Sequence, residues 1–184
     1  MALRIIKKIN DGLKFLYRKI TFLTPALRRL LCNAIIQPHF DYACSSWYLN
    51  LKMLFKKKLQ TCQNKCVRFC LQKGRMYHIG FNEFEEMNWL NVDSRVIQII
   101  VCNVFKFFKG TCPKFMSEIF SITNNLNIST RSSSSRLIQP KRKTKNGLNC
   151  LSYKGPSFWN KIPNNLRLSS NLNIFKHNLK KFFL

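Results

Sequence analysis

Seven carboxylates accompany 32 lysines and arginines in this 184-residue chain, a formal charge of +25. That imbalance limits what the chain can become. Like charges at this density repel one another and destabilise a compact monomer until anions screen them. Charge on this scale is therefore a statement about partners. Nucleic acid is the first candidate and an anionic membrane surface the second. The remaining composition suits a folded protein: 46% of residues are hydrophobic and 16 are Phe. The length allows one domain with a core, or two small ones.

The helical signals come in order. Ile6, Ile9, Leu13, Leu16, Ile20 and Leu23 step by three and four, which predicts an amphipathic helix over 2–23 with Arg4, Lys7, Lys8, Lys14 and Arg18 largely off the seam. Thr24-Pro25 is a helix start, and the next helix carries Leu27, Leu30, Leu31, Ala34 and Ile35, with Arg28 and Arg29 outside. Pro38 is expected to end it. A short helix is expected in 40–49, then a longer one from Leu51 to Gln72 with Gly74 as its stop. Asn82, followed three residues on by Glu85, reads as a cap. A helix over 93–109 follows, with Asp93 as cap and Gly110 after it. Cys112-Pro113 opens another, reaching Phe120.

Composition then changes. Residues 121–136 are rich in Ser, Thr and Asn and read as a linker. The last 66 residues hold twelve Lys and Arg and no acid. Leu148–Tyr153 and Phe158–Trp159 read as short strands. Leu172, Phe175, Leu179 and Phe182 mark a closing helix. The expected fold is thus mainly α: a helical bundle over 3–120, the linker at 121–136, and a small basic α+β region at 137–184.

Eight cysteines would suit a secreted disulfide scaffold. Against that, Lys7, Lys8 and Lys14 interrupt any apolar leader, and no stretch of about 18 apolar residues is present to span a membrane. The expectation is an intracellular protein, nuclear or cytoplasmic and not secreted, with reduced thiols. Cys62, Cys66 and Cys70 recur every fourth residue along the predicted core face. A zinc site takes close pairs joined by ligands from another element, so packing is expected there. Cys102, Cys112 and Cys150 are isolated, and His39, His78 and His177 complete no metal pattern with them. Neither a metal nor a cofactor is expected.

Enzymatic constellations are sparse. No Gly-x-Ser-x-Gly elbow and no Gly-rich phosphate loop occurs among the six glycines. Two-metal phosphoryl transfer gathers several carboxylates at one point. The acids here are Asp11, Asp41, Glu83, Glu85, Glu86, Asp93 and Glu118, with no Asp-Asp pair. Glu83, Glu85 and Glu86 form the only cluster, which suits a solvated first helical turn favoured by the helix dipole. No catalytic residue is expected.

The basic groups carry more information. Lys56, Lys57 and Lys58 lie within a predicted helix. Arg136, Lys141, Arg142, Lys143 and Lys145 form a looser run, and Lys154 and Lys161 stand beside the aromatics Tyr153, Phe158 and Trp159. Such cations neutralise phosphates and give sequence-independent, salt-sensitive affinity. Aromatic faces stack unpaired bases. The candidate nucleic-acid contacts are therefore these ten cations together with Trp159. The competing readings are a nuclear-targeting or solubilising stretch for the run, and core packing for Phe158 and Trp159.

The string RRLLCNAIIQPHFDYACSSW (Arg28–Trp47) resembles the segment that follows the polymerase palm in LINE-type, jockey-like non-LTR retrotransposon reverse transcriptases. LQTCQNKCVRFCL, EFEEMNWLNVDSR, and LSYKGPSFWNKIPNNLR with NIFKHNLKKFFL continue the likeness in the same order, over nearly all of 3–184. The resemblance implies the thumb, which holds a template–primer duplex, and its following helices for 3–72, and a C-terminal region associated with RNA for 73–184. Asp41 and Trp47 match its thumb block and are expected to be structural. The paired palm aspartates are absent, so no catalytic residue transfers. The expectation is a catalytically inactive remnant, or a fragment of a longer protein, that binds RNA or DNA through phosphates. Two other classes compete: a degenerate mobile-element product with only non-specific polyanion binding, and a basic membrane-surface protein using the helix over 2–23.

Overall fold

A computed structural model describes residues 1–122 and 136–184 of the chain. The fold is mainly helical. Among the described residues there is no strand, only an isolated antiparallel bridge between Ile122 and Leu137. Two compact units are present, Met1–Val96 with Leu184, and Ile97–Phe183. The division falls inside a helix, not at the Ser/Asn-rich segment 121–136, most of which lies outside the described residues.

In the first unit, α1 (Ala2–Tyr17) buries Ile5, Ile9, Leu13 and Leu16 and exposes Lys7, Lys8 and Lys14. The helix ends six residues before the predicted Leu23, and a 3-10 turn follows at Ile20–Phe22. The cause is the next helix: Thr24 must be extended (φ −67°, ψ 157°) for its Oγ1 to accept from the Leu27 N–H at 3.3 Å. α2 (Pro25–Leu31) does not stop at Pro38. It passes through a π turn at Cys32–Ile36 into α3 (Gln37–Asp41). There the Gln37 N–H reaches back to the Cys32 carbonyl, and the widened turn leaves Pro38 in the first turn of α3, where a missing N–H costs little. α2 is also rotated from its predicted face. Leu27 and Leu30 are exposed, and Arg28, expected outside, is buried.

α4 (Cys44–Trp47) follows a left-handed Ala43. α5 (Met53–Cys70) buries Leu59, Cys62, Cys66, Val67, Phe69 and Cys70 and packs against α1. Gln72, not Gly74, takes the left-handed position that ends it (φ +54°), and the Lys73 N–H closes on the Arg68 carbonyl at 3.0 Å. α6 (Phe81–Glu86) is capped at Gly80, two residues before the predicted cap Asn82. The Glu83 carboxylate accepts from the Gly80 N–H at 2.7 Å and so fixes the start there. α7 (Val92–Phe108) is capped by Asn91, whose side-chain oxygen accepts from the Ser94 N–H at 2.8 Å, and not by Asp93. Asp93 is turned to the Tyr48 hydroxyl instead. Gly110, at φ +66°, ends α7 as expected.

The second unit takes α7 from Ile97 onward, with α8 (Lys114–Ile119), α9 (Lys145–Leu148), α10 (Leu151–Trp159), α11 (Asn164–Arg167) and α12 (Leu172–Phe183). Its core joins Val101, Val104 and Phe105 to Met116, Phe120, Leu137, Trp159, Ile162, Phe175 and Leu179. Phe105 stacks on Phe175 at 4.3 Å, and Phe108 on Trp159 at 4.9 Å. The α+β expectation for 137–184 is overturned here. Leu148 ends α9, and Leu151–Trp159 is one helix through Gly155 and Pro156. Burial follows a helical step, Leu151 (half-buried), Gly155, Trp159, Ile162, which short aromatic runs do not reveal by themselves.

Candidate nucleic-acid interface

The basic run of the second unit is held at both ends. Leu137 is buried, and the Asn160 side chain clamps its backbone. Oδ1 accepts from the Leu137 N–H at 3.2 Å, and Nδ2 donates to the Leu137 carbonyl at 2.9 Å. The Ile138 N–H donates to the Ser121 carbonyl at 2.9 Å. At the other end, Thr144 caps α9 by accepting from the Gly147 N–H at 3.1 Å, and Arg142 donates to the Ser152 hydroxyl at 3.3 Å. Between these anchors Lys141, Arg142 and Lys143 are exposed, with Lys145 exposed in the first turn of α9. Arg136 is exposed just before the Leu137 clamp. Within Ile97–Phe183, Glu118 is the one acidic residue against fifteen Lys and Arg.

Around the run, Lys161 is exposed, and Lys154 is half-buried with its ammonium 5.7 Å from the Phe158 ring. Trp159 is 1% exposed and lies between Phe108 and Phe175. Its rings are committed to the core, so it offers no face to a base. Arg167 is buried beside it and ties α10 to α11, donating to the carbonyls of Asn160 and Ile162 at 2.9 and 2.8 Å. Burial and the nearby Arg136 lower its pKa from the ordinary guanidinium value.

The first unit holds the other predicted cluster on α5. Lys57 and Lys58 are exposed. Lys56 is engaged: its ammonium lies 4.9 Å from the Tyr48 ring and 4.0 Å from the Asp93 carboxylate. Tyr48 donates to Asp93 at 2.9 Å, and burial together with that bond raises its pKa.

The acids do not converge. Asp41 pairs with Arg95, Asp93 serves Tyr48 and Lys56, and Glu83 accepts from Gly80 and the Tyr77 hydroxyl. Those two bonds hold the Glu83 carboxyl below its ordinary 4.5. Asp11, Glu85, Glu86 and Glu118 are exposed. Among the described residues no group of three or more His, Cys, Asp or Glu is placed to hold a metal ion. All eight cysteines are free thiols, and Cys62, Cys66 and Cys70 lie buried in the α5 face. Among the described residues no helix is long and apolar enough to cross a membrane. Sequence reasoning missed Arg28, Arg68 and Lys73, which line one cleft of the first unit. No periodic signal marks them.

Comparison with protein families, with characterised proteins and with solved structures finds no match for this chain.

Proposed function

We propose that this chain binds RNA or DNA through phosphates, as a nucleic-acid-binding remnant of a LINE-type retrotransposon reverse transcriptase without palm or endonuclease chemistry of its own. The contact surface is the run Arg136, Lys141, Arg142, Lys143 and Lys145, flanked by Lys154 and Lys161. Lys57 and Lys58 add a second contact on α5, while Lys56 is tied to Asp93. What supports the reading is one observation. Lys141, Arg142 and Lys143 stand exposed on a segment anchored at both ends, with Lys145 exposed in the helical turn that follows, in a unit with a single acidic residue. A fixed array of cations binds a polyanion mainly by releasing its condensed counterions. Residues that gather no carboxylates do not hold the two divalent ions of a polymerase.

The test is a titration of RNA hairpins and duplex DNA across a salt series, with heparin as competitor. The expected result is a steep fall of affinity with salt and retention of one RNA against random competitors. Equal affinity for heparin and every RNA would reduce the protein to a non-specific polycation. Metal-dependent nucleotide incorporation by the purified chain would contradict the proposal.

A further inference from the structure

Arg28 is only 4% exposed, and the acceptors around its guanidinium are neutral. Its Nη2 donates to the Ile20 carbonyl at 3.0 Å. The Gln72 side chain, oriented with its oxygen inward, accepts from Nη1 and Nη2 at 2.5 and 2.6 Å. Nε is buried without a hydrogen-bond partner, and the Phe69 ring lies 5.8 Å from the guanidinium. Among the described residues no carboxylate pairs with it. A buried charge lacking a counter-charge is costly, and an unsatisfied donor beside it calls for an explanation.

The surroundings offer one. Arg28 lines a cleft of about 310 Å³ with Tyr17, Thr21, Arg68, Gln72 and Lys73, and no acid lines it. Arg68 is steadied by donating from Nε to the Tyr77 carbonyl at 2.8 Å. The Lys73 ammonium rests 4.9 Å from the Tyr77 ring. The cleft therefore has a buried guanidinium fork as its floor and two further cations at its mouth. Gln72 is itself exposed and holds the left-handed turn that ends α5, outside the helical hydrogen-bond ladder.

We propose that this cleft binds a phosphate dianion, free or as a terminal monoester, with Arg28 donating from its floor, Arg68 and Lys73 from its rim, and the Gln72 amide oxygen occupying the place of a phosphate oxygen. A guanidinium fork matches two oxygens of one phosphate, and three cations exceed the dianion's charge. A carboxylate would use only part of that charge. The source is either free phosphate or the terminal phosphate of a nucleic acid. A mid-chain diester bears substituents on both sides and does not enter end-on.

The experiment is a calorimetric titration of the full chain with inorganic phosphate, at an ionic strength held constant with chloride. One saturable site is expected. Arg68→Ala and Lys73→Ala should each weaken it by about tenfold, and a Lys141→Ala/Lys143→Ala control should not. Arg28→Lys keeps the charge and removes the fork, and should weaken binding too. Should that variant fail to fold, the two rim variants still decide. Unsaturable binding, or a site indifferent to Arg68 and Lys73, overturns the proposal. Displacement of phosphate by a 5′-phosphorylated oligonucleotide but not by its 5′-hydroxyl form assigns a nucleic-acid end as the source. Displacement by neither assigns free phosphate. Displacement by both overturns the monoester assignment. Loss of RNA binding in the control variant with phosphate binding intact bears on the run at 136–145 alone.

Discussion

Arg95 forks Asp41: its Nε donates to Oδ1 at 3.0 Å and its Nη2 to Oδ2 at 2.7 Å. The pair ties the first turns of α7 to the end of α3, across 54 residues of sequence. Both side chains are about 30% exposed, at 30% and 28%. A two-point charged contact in that setting outweighs an open surface pair. Asp41→Ala is expected to cost about 1–3 kcal/mol of stability, because Arg95 then keeps its charge and loses both bonds to the carboxylate. Urea denaturation of the two single variants and the double variant measures the coupling. A coupling near zero would mean the contact contributes nothing to folding.

Gly155 sits where α10 crosses its neighbours. A Cβ there would meet Phe120 Cε1 at 2.8 Å and Val104 Cγ2 at 3.3 Å. Phe120 is 3% exposed and Val104 is fully buried, so neither has open space to move into. Gly155→Ala is expected to destabilise the protein by about 1–3 kcal/mol through overpacking, despite alanine's better helix propensity. Adding Phe120→Leu should return part of that loss. A thermal melt of the two variants is enough to decide, and a stabilised Gly155→Ala would show that the ring yields freely.

What was legible in the sequence was local. Thr24 and Gly110 announce helix ends through chemistry that acts within a turn, and the step Leu172, Phe175, Leu179 needs only a period. The buried α5 thiols Cys62, Cys66 and Cys70 were legible in the same way. Even there, Phe182 continues the step yet is exposed. What was not legible depends on partners distant in sequence. Pro38 reads as a terminator unless the turn before it widens. The strands expected at Leu148–Tyr153 and Phe158–Trp159 give way to one helix through Gly155, where Phe120 and Val104 come close enough to require a glycine. Arg28 reads as a surface residue because nothing local tells that α2 turns it towards Phe69 and Gln72. The basic run was legible as composition. Its anchoring by Asn160 and Thr144 was not.

The buried thiols give a chemical prediction. Burial, with the Asp41 charge adding to it, pushes the Cys44 thiol up to about 11. Burial also raises Cys66, and a hydrogen bond with Cys70 followed by burial raises Cys32. The thiolate is the nucleophile, so a thiol held protonated reacts slowly. At pH 8 the native protein should be alkylated at half-buried Cys102, Cys112 and Cys150 first, with Cys32, Cys44 and Cys66 more than about tenfold slower. In denaturant all eight should react. A raised folded-state pKa favours folding below the unfolded value, and that contribution is lost as pH rises through the folded value. For Cys44 stability should therefore fall between its ordinary 9.0 and about 11. Peptide mapping after timed alkylation measures the order, and equal labelling of Cys44 and Cys112 would contradict it.

The run at 141–145 gives the sharpest number. Each phosphate neutralised on duplex DNA adds about 0.9 to the slope of log affinity against log salt. Lys141, Arg142, Lys143 and Lys145 are exposed, and the one hydrogen bond at stake in the fold is Arg142 to Ser152, itself exposed. Replacing all four by Ala should therefore leave the melting temperature nearly unchanged and reduce the slope by up to about 3–4. Affinity at low salt should fall, and the curves for variant and wild type should converge as salt rises. Single replacements should each remove a roughly equal share, because phosphate contacts at separate cations add. If the slope falls while a Lys57→Ala/Lys58→Ala variant matches wild type, the anchored run is the working surface and α5 contributes only charge. If the quadruple variant keeps the wild-type slope, the cations of the 141–145 run face solvent and not phosphate, and the proposed interface is wrong.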